Sequence, residues 1–241
     1  MSTTPAQDGT QWFLHTWRDH ILEPIETALT VLDVEHTELA AEQDGLEEFL
    51  QRLRAVDPVG QPSPPIGAPS RQSASDPAEA LREAYTDTVL AVDHYESVYD
   101  ESLVENVAIE FGPDYAALFH PETNVGFSPP LKRSLVAATE QAIDERASLD
   151  RAVRIEQESM QEYRGRLEEI IDTLDSTVVP EWYRETFQND VTALLEERQD
   201  QLQSSVHRFE THEFCSYMYE EQLWTYPVLT SLARLQESVD S

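Results

Sequence analysis

Lysine is almost missing from this chain. Of 16 basic side chains in 241 residues, only Lys132 is lysine and the other fifteen are arginine. They form no cluster able to neutralise a row of phosphates, which argues against nucleic acid and acidic lipid surfaces as direct partners. Cysteine is equally rare, and Cys215 alone excludes an internal disulfide framework. Glycine is scarce, at seven residues, and few segments alternate apolar and polar residues, so a sheet-rich fold is not expected. No apolar run approaches the roughly 18 residues of a membrane-spanning helix. The start, Met1 to Gly9, has neither a basic stretch nor an apolar core, so it does not read as a secretory signal. These absences together predict a cytoplasmic protein without a membrane partner.

Carboxylates are what the chain has most of. Asp plus Glu is 47, giving a formal net charge of −31. In dilute solution that charge repels itself, and acidic chains poor in apolar residues stay disordered. This chain is 40% hydrophobic with intact apolar periodicity, so disorder is expected only in one linker. A solvent that screens the repulsion fits better. At molar salt the Debye length is about 3 Å, and neighbouring surface carboxylates barely interact. An acid-rich, lysine-poor composition therefore points to a salt-accumulating cytoplasm; the duller alternative is an ordinary acidic interaction protein.

The apolar pattern centres on Leu131 to Leu174. Steps of four and three run through Leu135, Thr139, Ala142, Arg146, Leu149, Val153, Glu156, Met160, Tyr163, Leu167, Ile170 and Leu174. They average about 3.5 residues, the spacing that keeps one seam of a helix facing a partner helix. All but Thr139, Arg146 and Glu156 count as apolar or Ala. Pro129-Pro130 mark the start, and the run fades before Pro180. At about 1.5 Å per residue the helix is roughly 66 Å long, so it either spans an elongated bundle or pairs with another chain.

A second ladder precedes it: Leu22, Ile25, Leu29, Leu32, His36, Leu39, Gln43, Leu46, Leu50 and Leu53. Residues 1–9 are polar and expected to fray, and Pro24 either lies in a new helix or kinks a continuous one. His36 and Gln43 either fix the seam's register or sit at its edge and reach water. Residues 57–76 read as a Pro/Ser-rich flexible linker between an N-terminal helical segment, 1–56, and a main helical bundle, 77–241. A coil of that length spans roughly 25 Å, which favours an antiparallel return of the next helix beside the first and leaves a parallel return open.

That helix has Asp76 as N-cap and Pro77 in its first turn, with a seam of Leu81, Tyr85, Thr88, Val92, Tyr95 and Tyr99. A further helix carries Leu103, Val107 and Phe111, Gly112 ends it, and Pro113-Asp114 opens a short helix through Phe119. Pro180 starts a helix carrying Phe187, Val191, Leu194, Leu195, Leu202, Val206 and Phe209. An aromatic stretch, Phe214 to Tyr226, reads as bundle core or as a binding patch, and Pro227 begins the last helix. The expected fold is all-α: an elongated antiparallel helical bundle with coiled-coil-like long helices and a disordered Pro-rich linker.

Chemical motifs are few. A di-iron bundle needs Glu-x-x-His on two helices, and only Asp33–His36 imitates it. His207, His212 and Cys215 cluster, but a closed zinc site would also need Glu210 or Glu213 and the spacing is poor. No nucleophile elbow, phosphate loop or dinucleotide fingerprint occurs. Cys215 reads as a small buried thiol and His94 as a packed or solvated helix residue. No catalytic, cofactor-binding or metal-ligating residue is assigned, and no cofactor is expected.

Three stretches, Arg82-Glu83-Ala84-Tyr85-Thr86-Asp87-Thr88-Val89 running into His94-Tyr95-Glu96, Pro129-Pro130-Leu131-Lys132-Arg133-Ser134-Leu135 and Leu223-Trp224-Thr225-Tyr226-Pro227-Val228-Leu229, together resemble a family of haloarchaeal helical proteins designated a domain of unknown function. The resemblance covers most of the chain from Leu22. It implies a haloarchaeal source and coiled-coil-like helices, and brings no activity, cofactor or site residue with it. The expected function is a non-catalytic scaffold or regulator acting through helix-mediated association in a high-salt cytoplasm. Its partner protein stays open, a homo-oligomer through the long helices included; the alternative is a ligand- or metal-binding helical bundle, a sensor.

Overall fold

The computed structural model describes residues 7–58, 76–95, 101–122, 126–176, 181–203, 205–206 and 209–240. The element order is α1 (Gln7–Ala55), α2 (Pro77–Thr88), α3 (Leu103–Glu110), α4 (Pro113–Phe119), α5 (Pro129–Ser176), α6 (Glu181–Leu202), β1 (Ser205–Val206), β2 (Phe209–Glu210), α7 (Thr211–Met218) and α8 (Pro227–Asp240). The fold is all-α, apart from the two-residue antiparallel ladder β1–β2. Of the expected linker, 57–76, residues 59–75 lie outside the described residues. No helix among the described residues is long and apolar enough to cross a membrane.

Both long helices form as the ladders predict. Along α5 the expected seam is buried at Leu135, Thr139, Ala142, Val153, Glu156, Met160, Tyr163 and Leu167. The match drifts at the end, where Ile171 is buried in place of Ile170. A straight helix turns every 3.6 residues, so a strict 3.5 pattern slips by about 20° per heptad. Thr139 satisfies itself by donating to the Leu135 carbonyl at 2.9 Å. His36 and Gln43 are both half-buried at the seam's edge. α1 starts at Gln7, inside the stretch expected to fray, and runs unbroken through Pro24.

The chain divides into two compact units: residues 1–36 with 151–241, and residues 37–150. Each contains a length of α1 and of α5. In the first unit 18 faces 172, 26 faces 164 and 36 faces 154 through side-chain contacts, so numbers rise along α1 as they fall along α5. The two helices are antiparallel. α6 packs on α7 and α8 in the same unit.

In the second unit Glu42 meets Arg146 and Arg54 meets Glu140, again antiparallel. The single lysine has a defined place here: Lys132 Nζ donates to the carbonyls of Arg54 and Val56, each at 2.7 Å, closing the C-terminus of α1. A cation on a long stem suits those orphan carbonyls and the negative end of the helix dipole. Asp76 caps α2 as expected, accepting from the Ala78 amide at 3.1 Å. α2 then returns antiparallel to α1, with Phe49 edge-on to Tyr85 at 4.9 Å. Gly45 lies against the end of α2, where any Cβ would meet the Thr88 carbonyl oxygen at 3.0 Å.

α2 is shorter than its seam suggests. It ends at Thr88 because the Tyr85 carbonyl accepts from both Val89 and Leu90, closing the last turn. Val92 lies in the bend that follows, Tyr95 is helical again, and Tyr99 lies outside the described residues. Ser102 and Glu105 form a reciprocal capping box at the start of α3. Gly112 adopts φ 102° between α3 and α4, a left-handed conformation that costs glycine nothing. α6 also stops early, at Leu202, and the backbone at Val206 and Phe209 belongs to β1 and β2.

Candidate functional site

The two charged positions in the α5 seam, half-buried Arg146 and buried Glu156, are each the centre of a polar cluster. Burying a charge is costly unless a partner and hydrogen bonds compensate it, so such clusters are where function or specificity is sought first.

Arg146 lies in the second unit. Its Nε donates to Glu42 Oε2 at 2.7 Å, and its Nη1 and Nη2 donate to the two oxygens of Glu110 at 2.7 and 2.8 Å. The Glu110 contact is a bidentate fork, the strongest arginine–carboxylate geometry. The other oxygen of Glu42 lies 3.1 Å from His94 Nε2. Burial opposes the charge of Arg146, but the bonds and charges of Glu110 and then Glu42 outweigh it and hold its pKa above the ordinary value. Three helices, α1, α3 and α5, are thereby tied by one guanidinium.

Beside it Tyr85 donates to Asn106 Oδ1 at 2.6 Å, and Asn106 Nδ2 donates to Glu101 Oε2 at 3.1 Å. A cavity of about 100 Å³ adjoins these groups, lined by Leu46, Val92, His94, Tyr95, Asn106 and Arg146 among others.

Glu156 lies in the first unit. Arg198 on α6, 1% exposed, donates from Nη2 to Glu156 Oε1 at 2.5 Å. Its Nη1 reaches Ser159 Oγ and Gln201 Oε1, each at 3.3 Å. The Arg198 guanidinium also lies 5.9 Å from the centre of the Tyr163 ring, within cation–π range. Here too burial is outweighed, by the charge and hydrogen bond of Glu156, and the arginine pKa is raised.

Cys215 on α7 completes this cluster, its Sγ donating to Glu156 Oε1 at 3.8 Å. Burial first and the Glu156 carboxylate second push its thiol up from 9.0 to about 12. The same two causes, in the same order, raise the Tyr219 hydroxyl. A thiol so protonated is a poor nucleophile and a poor metal ligand.

Of the candidates read from sequence, His212 and Cys215 are not brought together. His212 is exposed and hydrogen-bonded to the Tyr226 hydroxyl, while Cys215 faces inward on the same helix. His207 lies outside the described residues. Among the described residues no group of three or more His, Cys, Asp or Glu is placed to hold a metal ion. In the aromatic stretch Phe214 and Tyr219 are core and Trp224 and Tyr226 are half-buried, whereas Tyr217 is exposed. Seam spacing alone does not single out the partners Glu42, Glu110 and Arg198. Arg198 nonetheless carries a visible signal: it falls four residues after Leu194 and four before Leu202, on the apolar stripe of α6.

A raised folded-state pKa makes stability depend on pH in one direction. Neutral thiol and phenol are favoured by the fold, so that stability is whole below their ordinary values and is lost as pH rises toward the folded ones. Cys215, from 9.0 to about 12, sets the window, and Tyr85 and Tyr219 are raised further by burial first. Alkaline titration should therefore show helix loss above the ordinary thiol value, with tyrosine ionisation at 295 nm rising together with the loss of ellipticity at 222 nm. Tyrosines that all ionise while the helices stay intact would contradict this assignment.

The class of protein is thus a helical one whose interior charges join long helices. The chain belongs to the family described as "Domain of unknown function (DUF7260)", whose model matches residues 23–241. No curated protein and no solved structure matches it.

Proposed function

We propose that the protein is a non-catalytic scaffold or regulator that acts by helix-mediated association in a high-salt cytoplasm, as in a haloarchaeon. The observation that carries this reading is the matching of interior charge. Arg146 is held by Glu42 and Glu110, Arg198 by Glu156, and the thiol of Cys215 is held protonated. Groups held this way link helices to one another. The net charge of −31 supports the high-salt setting, since screening is what such a surface needs. Exposed apolar side chains at Val34, Ile155, Tyr217 and Leu223 supply surface for contact with another helix.

Sedimentation velocity in molar KCl, alone and in cell lysate, tests association. A species heavier than 27.5 kDa is expected. A 27.5 kDa monomer under both conditions would overturn it. The cavity beside Arg146 favours a second reading, a ligand-binding bundle. A small molecule that co-purifies at one per chain and is lost on Val92→Phe would favour that reading instead.

A further inference from the structure

Pro24 sits in the interior of α1 and is buried there. A proline has no amide hydrogen, so the carbonyl four residues earlier, on His20, loses its partner in the helix, and the ring pushes that carbonyl outward. The carbonyl nevertheless has a donor. Arg234 on α8 places Nη1 2.7 Å from the His20 oxygen, and the same nitrogen lies 2.6 Å from Glu23 Oε2. All four residues belong to the same compact unit.

We infer that α8 is a strap keyed to the gap that Pro24 opens in α1, with the Arg234 guanidinium standing in for the missing amide. α8 is also held by an apolar stripe: Val228, Leu232 and Leu235 are fully buried, at steps of four and three. Such a stripe holds the helix down but is tolerant of sliding. A charge-assisted bond to one carbonyl that lacks its helical amide is directional, and it exists at only one register. Pro24, a helix-breaking residue in the middle of α1, thereby marks where the last helix closes. This inference does not rest on the proposed function.

Hydrogen exchange of α8 amides in the full chain tests it, in the wild-type and Pro24→Ala backgrounds. The Pro24→Ala substitution restores the amide that bonds the His20 carbonyl and so removes the key. Arg234→Met should raise α8 exchange about tenfold in the wild-type background and by less than about threefold in the Pro24→Ala background, the tenfold matching a charge-assisted bond. Leu232→Val, which loosens α8 without touching the carbonyl, is the control and should act equally in both backgrounds. Arg234→Lys, which keeps one donor and the charge, should fall between. If Arg234→Met unfolds the unit in the wild-type background, Arg234→Lys carries the comparison. Equal effects of the arginine substitutions in the two backgrounds, or equal suppression of the Leu232→Val effect by Pro24→Ala, would overturn the inference.

Discussion

Glu156→Gln is expected to cost about 3–5 kcal/mol of folding stability, because it leaves the Arg198 guanidinium buried without a counter-charge. A domain of this size has about 5–15 kcal/mol in total, so the variant should be close to unfolding. The size follows from burial: Arg198 is 1% and Glu156 5% exposed. Glutamine can still accept a hydrogen bond, so the loss measures charge rather than geometry. Replacing both residues by methionine removes the uncompensated charge and should recover most of the loss, since well-packed apolar pairs often equal or exceed a buried ion pair. The exposed pair Arg54–Glu140 should contribute little by comparison, because water and salt screen it. Urea denaturation in molar KCl reads all of these. A Glu156→Gln variant as stable as the wild type, or a double variant worse than the single one, would mean that the pair is not what joins α5 to α6. The single variant also removes the carboxylate beside Cys215, so the thiol pKa should fall from about 12.

The positions that carry this prediction are only half legible in the sequence. Seam spacing places Arg146 and Glu156 on the buried stripe of α5; Glu156 is buried there and Arg146 half-buried. Spacing says which face a residue occupies; it does not say what lies opposite, because that depends on how helices distant in sequence pack. Glu110 meets Arg146 from a short helix 36 positions away, and Arg198 meets Glu156 across 42. Local chemistry is the easier part. Asp76 and Gly112 are recognisable as cap and terminator, and the Ser102–Glu105 capping box is equally open to recognition. The ends of α2 and α6 are not, since apolar residues at Val92 and Val206 continue a helical period into turn and strand. A period records burial, and past the end of α2 burial continues at Tyr95.

Loss of helix on removing salt is the second large effect expected. With 47 acidic against 16 basic residues, cross-helix pairs such as Arg18–Asp172 cannot balance the carboxylates left over. Near 10 mM salt the Debye length is about 30 Å, so each carboxylate repels others across a whole domain; at 1 M it is about 3 Å and repulsion is confined to direct neighbours. The buried pair of Arg198 and the half-buried pairs of Arg146 are screened much less by salt, so screening acts mainly on the surface. The apolar seams are also strengthened by salts that are excluded from the protein surface. Helicity should therefore be a steep function of salt, with the folded form at the high end.

Far-ultraviolet circular dichroism across a KCl titration is the most direct test that apolar and paired-charge seams between long helices hold this chain together under screening. A strong helical spectrum at molar KCl that collapses on dialysis to millimolar salt is the predicted result. A spectrum of coil or sheet at molar KCl, or one equally helical at both ends of the titration, would contradict the account.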